Sequence, residues 1–258
     1  MTESAVPGLL DTRSHVLRSD ALAREVALTI WLPPSYESSD ATFPVLYVLD
    51  APMTFAFAAQ GAMITTFDEA MPEVLVVGVG EPLTSAYQWG ANRARDYAPR
   101  QVPDDPTSGH AAAFFDALQQ EIVPLVEGQY RADPCDRILW GHSLGGAFAI
   151  YALLERGGLL QRVIATSPAA YDQGVQLLDP DAWPERGASV QASLFTSIGS
   201  QDTEYRPGVD WLSDQLRART YADLRFETTI IPDCGHIGAS TFGYLSGLRS
   251  VFSSTQAE

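Results

Sequence analysis

The sequence predicts an α/β fold in which a mostly parallel central sheet is flanked by helices on both faces. Strand-like runs come first and then alternate with helix-like runs, an order typical of this class. Several strand-like runs, such as "EVLVVGVG", are continuously apolar, the pattern of strands that are covered on both faces. Ligand sites in such folds lie beyond the carboxyl ends of the strands, so functional residues should directly follow strands.

The predicted strands begin with "EVALTIWLP" and end with "LRFETTIIP", preceded by an N-terminal extension or edge strand within residues 1–24. The strand ranges are 25–33, 44–50, 73–80, 137–141, 162–168, 193–199 and 224–232. Helix-like stretches lie between or after them, at 54–70, 111–127, 144–156, 208–219 and 239–252.

The helix predicted over 111–127 carries its own start and stop signals. Ser108 is a candidate N-cap, apolar residues follow at helical spacing, and Gly128 marks the end. Pro124 inside this stretch predicts a kink or a break, because proline cannot donate the helical hydrogen bond.

The length of 258 residues and the hydrophobic content of 46% allow one well-buried core. No linker-like tract or internal repeat divides the chain, so we expect a single domain over 1–258. The segment 81–110 follows a predicted strand and has no clear secondary structure, and 169–192 is a second such segment. Both are predicted to be active-site loops.

The net charge of −16 argues against nucleic acid or an anionic membrane as a partner, because both would be repelled. All 16 basic residues are arginine. The N-terminus lacks the pattern of a secretion signal, and no apolar run approaches the roughly 18 residues of a membrane span. We therefore expect a cytoplasmic protein whose partner is a small molecule.

The two cysteines, Cys135 and Cys234, have no metal-ligand spacing. In a cytoplasmic chain they are expected to be free thiols, and the sequence gives no support for structural zinc.

Ser143 lies in the motif Gly141-His142-Ser143-Leu144-Gly145, directly between a predicted strand and a predicted helix. This context is typical of a nucleophile elbow, in which the serine has a strained backbone and side chains two residues away on either side would collide with neighbours. An ordinary tight turn is the alternative. No other G-x-S-x-G occurs in the chain, so Ser143 is the candidate nucleophile.

A serine hydroxyl needs a base that removes its proton, and the chain offers four histidines. His15 lies in the N-terminal segment before the sheet core, His110 lies at a predicted helix start, and His142 is adjacent to the serine and poorly placed to face it. His236 follows the last strand and alone fits the chain order serine, acid, histidine. It is the candidate base.

The acid should follow a strand between Ser143 and His236, where it would orient the imidazole and stabilise its protonated form. Asp202 comes three residues after the end of the strand at 193–199. Glu204 is a competing candidate, and Asp233 is too close to His236 in sequence to be preferred. Asp202 is the favoured acid.

Together, "PVLYVLDAP", "VVGVG", "RARDYAPR", "WGHSLGGAFAIYAL", "ATSPAAY" and "GHIGASTF" resemble the putative-esterase family of α/β-hydrolases, in the family's order from about residue 25 to 253. That family includes feruloyl esterases, S-formylglutathione hydrolases, mycolyltransferases and esterases that open siderophore trilactones. Trp140 and "RARDYAP" are most similar to the siderophore-esterase branch. The resemblance implies an α/β-hydrolase fold and ester hydrolysis through an acyl-serine intermediate, without metal or cofactor.

The resemblance also implies an oxyanion hole, half of it from the backbone N–H of Leu144. Family members usually have Leu-Asp-Gly-X after the early strand, and X donates the second N–H. Here the stretch is Leu49-Asp50-Ala51-Pro52-Met53, and a proline at that position has no N–H to give. We expect the Met53 N–H to serve instead.

The loop 81–110 should overhang the site, and its aromatic and arginine residues suit an aromatic or anionic acyl group, such as a catecholate-like ring. Arginines and aromatics in long loops also often serve only to hold the loop in place. The candidate substrate-binding residues are Trp89, Arg93, Arg95, Tyr97 and, beside the elbow, Trp140.

These observations predict a serine carboxylesterase that acts on a polar or aromatic ester or lactone, with a siderophore-like lactone as one candidate. An acyltransferase with the same Ser143, His236 and Asp202 is the nearest alternative, since it differs only in its acceptor. A non-catalytic small-molecule binder on the same fold is a third.

Overall fold

The computed structural model describes residues 9, 11–82, 90, 92–172 and 174–253. Its centre is an eight-stranded sheet of order β1-β2-β4-β3-β5-β6-β9-β10, and a two-stranded hairpin, β7-β8, lies apart from it. The sheet strands are Thr12–Ser19 (β1), Arg24–Trp31 (β2), Phe43–Val48 (β3), Leu75–Gly80 (β4), Ala132–His142 (β5), Arg162–Thr166 (β6), Ser189–Gly199 (β9) and Ala222–Ile231 (β10). The hairpin strands are Tyr171–Asp172 (β7) and Val175–Gln176 (β8).

Two antiparallel strands lie at one edge of the sheet, where β1 pairs with β2 and β2 pairs with β4. From β4 to β10 every neighbouring pair is parallel. The parallel strands therefore end at one common edge, which the connecting loops cover.

Helices connect the parallel strands. The α-helices are Ala51–Phe67 (α1), Arg93–Tyr97 (α2), Ala111–Ala117 (α3), Val123–Gln129 (α4), Leu144–Tyr151 (α5), Arg206–Arg219 (α6) and His236–Phe252 (α7). Wider π-helical turns, Leu118–Ile122 and Ala152–Arg156, join α3 to α4 and extend α5, and short 3₁₀ turns occupy Tyr36–Ser38 and Pro180–Ala182. Among the described residues no helix is long and apolar enough to cross a membrane.

Two apolar cores cover the two faces of the sheet. Residues of α1 and α7 form one core with the strands, including Trp140 and Tyr244, whose ring centroids lie 4.1 Å apart. Residues of α3, α4, α5 and α6 form the other core, including the buried Phe115 and Phe148. The central strands β3, β4 and β6 are buried on both faces, which explains the continuous apolar runs and confirms the predicted α/β class.

The helix expected over 111–127 is interrupted ahead of Pro124, as predicted, by the π turn that separates α3 from α4. The structure corrects the signals at its two ends. At the first end, Ser108 does not cap the helix, because the residue before α3 is His110 and the Ser108 hydroxyl donates to the Asp105 carbonyl at 2.7 Å. At the second end, α4 continues past Gly128 to Gln129. The segment 81–110, expected to lack secondary structure, contains α2.

The candidate residues follow the strands, as the parallel sheet requires. Ser143 comes directly after β5, Asp202 lies three residues beyond β9, and His236 begins α7 after β10. Asp50 follows β3 at the same edge. Because all four strands run in parallel, these residues meet at one edge of the sheet.

Candidate active site

Ser143 has a strained backbone, with φ 59° and ψ −119°, a conformation that is rare for a residue with a side chain. Hydrogen bonds hold it there. Its N–H donates to the Thr166 carbonyl at 3.0 Å, and its carbonyl accepts from the N–H groups of Ala147 and Ala169, each at 3.0 Å. The geometry is that of a nucleophile elbow rather than an ordinary turn.

The two glycines that flank Ser143 differ in why they are needed. A Cβ atom on Gly141 would lie 2.1 Å from the Gly145 carbonyl oxygen, so the first position admits only glycine. A Cβ atom on Gly145 would meet nothing closer than a Leu49 side-chain carbon at 3.5 Å, which is an ordinary contact. The expectation that both flanking positions would collide is therefore correct for Gly141 and wrong for Gly145.

Asp202 and His236, the candidate acid and the candidate base, lie in direct contact. His236 Nδ1 and Asp202 Oδ2 lie 2.7 Å apart, and the Asp202 side chain is only 2% exposed. The turns that carry them are joined, since the Ser200 N–H donates to the Ile231 carbonyl at 2.8 Å and the Gln201 N–H donates to the Cys234 carbonyl at 2.9 Å. Because Nδ1 of His236 is engaged by Asp202, Nε2 is the nitrogen available to a substrate or nucleophile.

The alternative acids lie outside this contact. Glu204 and Asp233 are both exposed, and neither forms the hydrogen bond with His236 that Asp202 forms. The structure thus brings Asp202, the favoured candidate, to the histidine.

The imidazole of His236 lies between two other rings. Tyr205 stacks on it with 4.2 Å between ring centroids and 17° between ring planes, and His142 lies at 4.6 Å. Since His142 immediately precedes Ser143, His236 is beside the elbow. Among the described residues no side-chain hydrogen bond of 3.5 Å or less joins Ser143 to His236 or to Tyr205, and the Ser143 side chain is close enough to the Tyr205 hydroxyl to lower the pKa of that tyrosine slightly against the larger effect of burial. Such catalytic bonds are often long before substrate binds.

His142 serves the structure rather than proton transfer. Its Nδ1 lies 3.0 Å from the Thr166 carbonyl oxygen, and burial, reinforced by the nearby His236, lowers its pKa to about 3. A histidine that stays neutral at physiological pH and is tied to β6 is a support for the elbow, in agreement with the sequence argument against it as the base.

The backbone around Asp50 corrects the prediction for Met53. Pro52 is in the first turn of α1 and has no N–H, while the Met53 N–H donates to the Asp50 carbonyl at 2.9 Å. The Met53 amide is therefore occupied within the helix and is not free for an oxyanion. Leu144, by contrast, is the first residue of α5, where N–H groups have no partner within the helix.

Arg93 forms a buried ion pair beside the elbow. Its Nε lies 2.7 Å from Asp50 Oδ1, and its Nη2 donates both to Asp50 Oδ2 and to the His142 carbonyl, each at 3.0 Å. Burial alone would lower the pKa of Arg93, but the Asp50 carboxylate outweighs it and raises that pKa. Arg93 thus links α2 to the turn after β3 and to the end of β5.

The other residues predicted to bind substrate have different surroundings. Trp89 lies outside the described residues. Arg95 forms ion pairs with Glu81 and Asp96 and keeps 30% of its side chain exposed. Tyr97 and Trp140 are 6% and 1% exposed and pack in the cores. The burial of Trp140 leaves a substrate almost no surface there, whereas Tyr97, as exposed as Ser143, also lines a small cavity with Asp50 and Arg93, and its substrate contact stays a prediction.

Tyr205 is a site residue that the sequence analysis missed. It lies three residues beyond Asp202, in the loop after β9. Functional residues of such folds are expected in loops that follow strands, so this position could have been considered. Nothing in the spacing of a serine, an acid and a histidine calls for a tyrosine there. In the described part of the chain, no group of three or more metal-ligating side chains could hold an ion.

Comparison with known proteins places this geometry in context. The model of the family described as putative esterase matches residues 19–228, which is well over half of the chain. Ferri-bacillibactin esterase BesA of Bacillus subtilis (strain 168) is 30% identical over 155 residues, which cover 54% of this chain and 52% of BesA. The siderophore triacetylfusarinine C esterase of Aspergillus fumigatus is 26% identical over 199 residues, 74% of this chain and 68% of that protein.

Among solved structures, the BES protein from Bacillus cereus superposes with a TM-score of 0.84 at 22% sequence identity, covering 98% of this chain and 100% of the other. A likeness at this identity concerns the fold. Together with the mostly parallel sheet and the strand order, it identifies the architecture as the α/β-hydrolase fold.

Proposed function

The chain belongs to the putative esterase family, and we propose that it is a serine hydrolase that cleaves carboxylic esters through an acyl-serine intermediate. One observation carries the proposal. The Asp202–His236 pair, joined at 2.7 Å, lies beside a serine with the strained backbone of a nucleophile elbow. This arrangement supplies a nucleophile, a base and an orienting acid without any metal or cofactor.

The proposed reaction begins when the Ser143 oxygen attacks the ester carbonyl carbon and its proton passes to Nε2 of His236. Asp202 stabilises the resulting imidazolium through Nδ1. The Leu144 N–H, at the start of α5, donates to the oxyanion that forms. Collapse of the tetrahedral intermediate breaks the bond to the leaving alkoxide, which takes the proton from His236. Water then hydrolyses the acyl-serine by the same steps.

For the substrate we propose a siderophore-like ester or lactone. BesA is named a ferri-bacillibactin esterase and the Aspergillus relative a siderophore triacetylfusarinine C esterase, and these names support the same class here. The partly exposed Arg95 remains a candidate contact for an anionic acyl group. The matched stretch spans only about half of BesA. The substrate class is therefore a proposal, which the ester panel described below tests.

A fluorophosphonate probe tests the chemistry without knowledge of the substrate, because the probe reacts with activated serines. We expect one adduct by intact-mass analysis on the parent protein, none on Ser143→Ala, and an unchanged adduct on Ser38→Ala. Ser38 is a matched control, since it is an exposed serine in the 3₁₀ turn before β3 and, within the described part of the chain, its hydroxyl bonds only to the Ser35 carbonyl. A folded parent protein that takes up no probe, or a labelled Ser143→Ala variant, would overturn the proposal.

If labelling follows this pattern, a panel of lactones and aryl esters identifies the substrate class. Hydrolysis of trilactone or linear hydroxamate esters at rates well above those for simple aryl esters is the expected result. Equal rates for all of them would contradict the siderophore-like class while leaving the serine hydrolase in place.

A further inference from the structure

The turn after β3 has few N–H groups left for a second oxyanion contact. Pro52 has no N–H, and the N–H groups of Met53 and Thr54 both donate to the Asp50 carbonyl, at 2.9 and 3.2 Å. The Asp50 N–H donates to the Tyr97 hydroxyl at 3.3 Å. In the described structure, only the Ala51 amide of this turn has no such acceptor.

A different polar group lies beside the Asp202–His236 pair. Tyr205 is fixed by two contacts with this pair: its N–H donates to Asp202 Oδ1 at 3.3 Å, and its ring lies nearly parallel to the His236 imidazole. Its side chain also packs against the small apolar cluster that contains Val102 and Ala147. These contacts place Tyr205 against both the imidazole and the first helix turn after the elbow, with its hydroxyl close to the Ser143 side chain.

We propose that Tyr205 is a further catalytic residue, whose hydroxyl donates a hydrogen bond to the oxyanion in the place that Pro52 leaves without a donor. This inference rests on the proposed serine hydrolase chemistry. The new bond to the Ser143 oxygen holds the oxyanion next to that oxygen, so a hydroxyl close to the Ser143 side chain is within reach of the oxyanion. Tyrosine hydroxyls are among the groups that form oxyanion holes.

The proposed step leaves Tyr205 unchanged. As the Ser143 oxygen bonds to the carbonyl carbon, the carbonyl π electrons move to the oxygen and the serine proton passes to His236. Tyr205 keeps its own proton and only shares it in a hydrogen bond until the carbonyl reforms and the leaving group departs. Burial and the charge of Glu204 raise the pKa of Tyr205, so the hydroxyl remains a donor at neutral pH.

The first test compares Tyr205→Phe with the parent protein on phenyl acetate. The variant keeps the aromatic ring over His236 and removes one oxygen atom. We expect kcat to fall about 100- to 1000-fold, the usual loss when one oxyanion donor is removed, with KM nearly unchanged. Tyr130→Phe is the matched control, because Tyr130 precedes β5 at the edge of the sheet opposite Ser143 and, among the described residues, its hydroxyl bonds only to His15 Nε2, at 2.6 Å, so the variant should retain parent activity.

A second measurement separates catalysis from structure. A trifluoromethyl ketone adds to an active serine as a hemiketal whose oxyanion occupies the hole. If Tyr205 donates there, Tyr205→Phe weakens binding of this inhibitor by the same factor by which it lowers kcat/KM. A purely structural effect of the substitution would alter Tm or KM without this proportionality.

A third variant covers the case in which Tyr205→Phe is poorly folded. Difluorotyrosine at position 205 is nearly isosteric, and its phenol ionises at lower pH. Because an ionised phenol cannot donate, we expect the alkaline limb of the kcat profile to move to lower pH with this replacement. An unmoved limb would contradict the assignment.

The outcomes distinguish this inference from the proposed function. A parent protein that neither binds a fluorophosphonate nor hydrolyses phenyl acetate would remove the serine hydrolase proposal itself. An active parent with Tyr205→Phe within threefold of its kcat, or with only KM raised, would overturn the role of Tyr205 and leave the Ala51 amide as the second donor.

Discussion

At the scale of single residues, the choice between Asp202 and Glu204 shows what the structure adds to chain order. Both acids follow β9 and precede His236, so both meet the order serine, acid, histidine. The difference is in burial and direction: Asp202 is tied to His236 at 2.7 Å, whereas Glu204 faces solvent. Only the buried carboxylate can hold the imidazole in one orientation and stabilise its charge.

Asp202→Asn is therefore expected to lower kcat about 1000- to 10000-fold for any ester that the parent protein hydrolyses. An amide at this position cannot stabilise the imidazolium and favours the wrong tautomer of His236. Glu204→Gln, the matched control, should stay within about threefold of the parent. Equal losses in the two variants, measured by steady-state kinetics, would contradict the assignment of the acid.

The same residues show the limits of prediction at this scale. The proximity of Ser143, His236 and Asp202 at one edge of the sheet was predictable, because elbow spacing and chain order can be read along the sequence. The buried pair of Asp50 and Arg93 was not, since it joins residues 43 positions apart through a turn whose left-handed conformation no motif announces. Arg93 was predicted as a substrate contact, and the structure shows that its charge also serves a partner inside the protein.

At the scale of elements, the elbow depends on how closely β5 approaches α5. The first turn of α5 passes directly over the end of β5, and the Gly145 carbonyl occupies the space that a side chain at position 141 would need. The sequence indicated this crossing through its glycines, but it could not tell which of them is sterically required. That distinction needs the path of the helix.

Alanine substitutions at the two glycines should accordingly give opposite results. Gly141→Ala forces a Cβ atom to within 2.1 Å of a backbone oxygen, so we expect the free energy of unfolding to fall by about 3 kcal/mol and fluorophosphonate labelling to be lost. Gly145→Ala adds a methyl group in ordinary contact and removes a helical glycine, so stability should hold or rise by up to about 1 kcal/mol.

Urea unfolding and probe labelling of the two variants measure this difference. A Gly145→Ala variant as damaged as Gly141→Ala would mean that the second glycine is needed for backbone freedom rather than for space.

Element boundaries illustrate a second limit at this scale. The interruption near Pro124 was predictable, because proline lacks the N–H that the helical hydrogen bond needs. The π turn by which the helix accommodates this proline was not predictable. Ser108 had the composition of an N-cap, but its hydroxyl is engaged with Asp105 and Val102 in the preceding loop. Which partner a hydroxyl group binds depends on the tertiary structure around it. The residue type alone does not indicate that partner.

At the scale of the whole molecule, the class of fold was the most predictable feature. Apolar strands that alternate with helices require a sheet covered on both faces, and the parallel strands then fix the edge at which the site forms. The same covering buries polar groups near the site. His142 is one of them, with its Nε2 buried and without a hydrogen-bond partner among the described residues.

The burial of His142 makes global stability depend on pH. Its pKa is lowered from 6.5 to about 3, by burial first and then by His236 and Arg93, against the smaller opposing effects of Thr166 and Asp202. Between these values the unfolded chain binds a proton that the folded protein cannot, so stability is complete above pH 6.5 and falls as the pH is lowered towards 3. One such group removes about 2 kcal/mol at pH 5.

His142→Asn removes this titration and keeps a side-chain N–H that can donate to the Thr166 carbonyl. Between pH 7 and pH 5 the variant is therefore expected to lose about 2 kcal/mol less of its free energy of unfolding than the parent protein, measured in urea. His110→Asn, at an exposed histidine, should lose as much as the parent. If His142→Asn also loses as much as the parent, then His142 already takes up its proton in the folded state near pH 6. The elbow would in that case tolerate a charged imidazole beside Ser143.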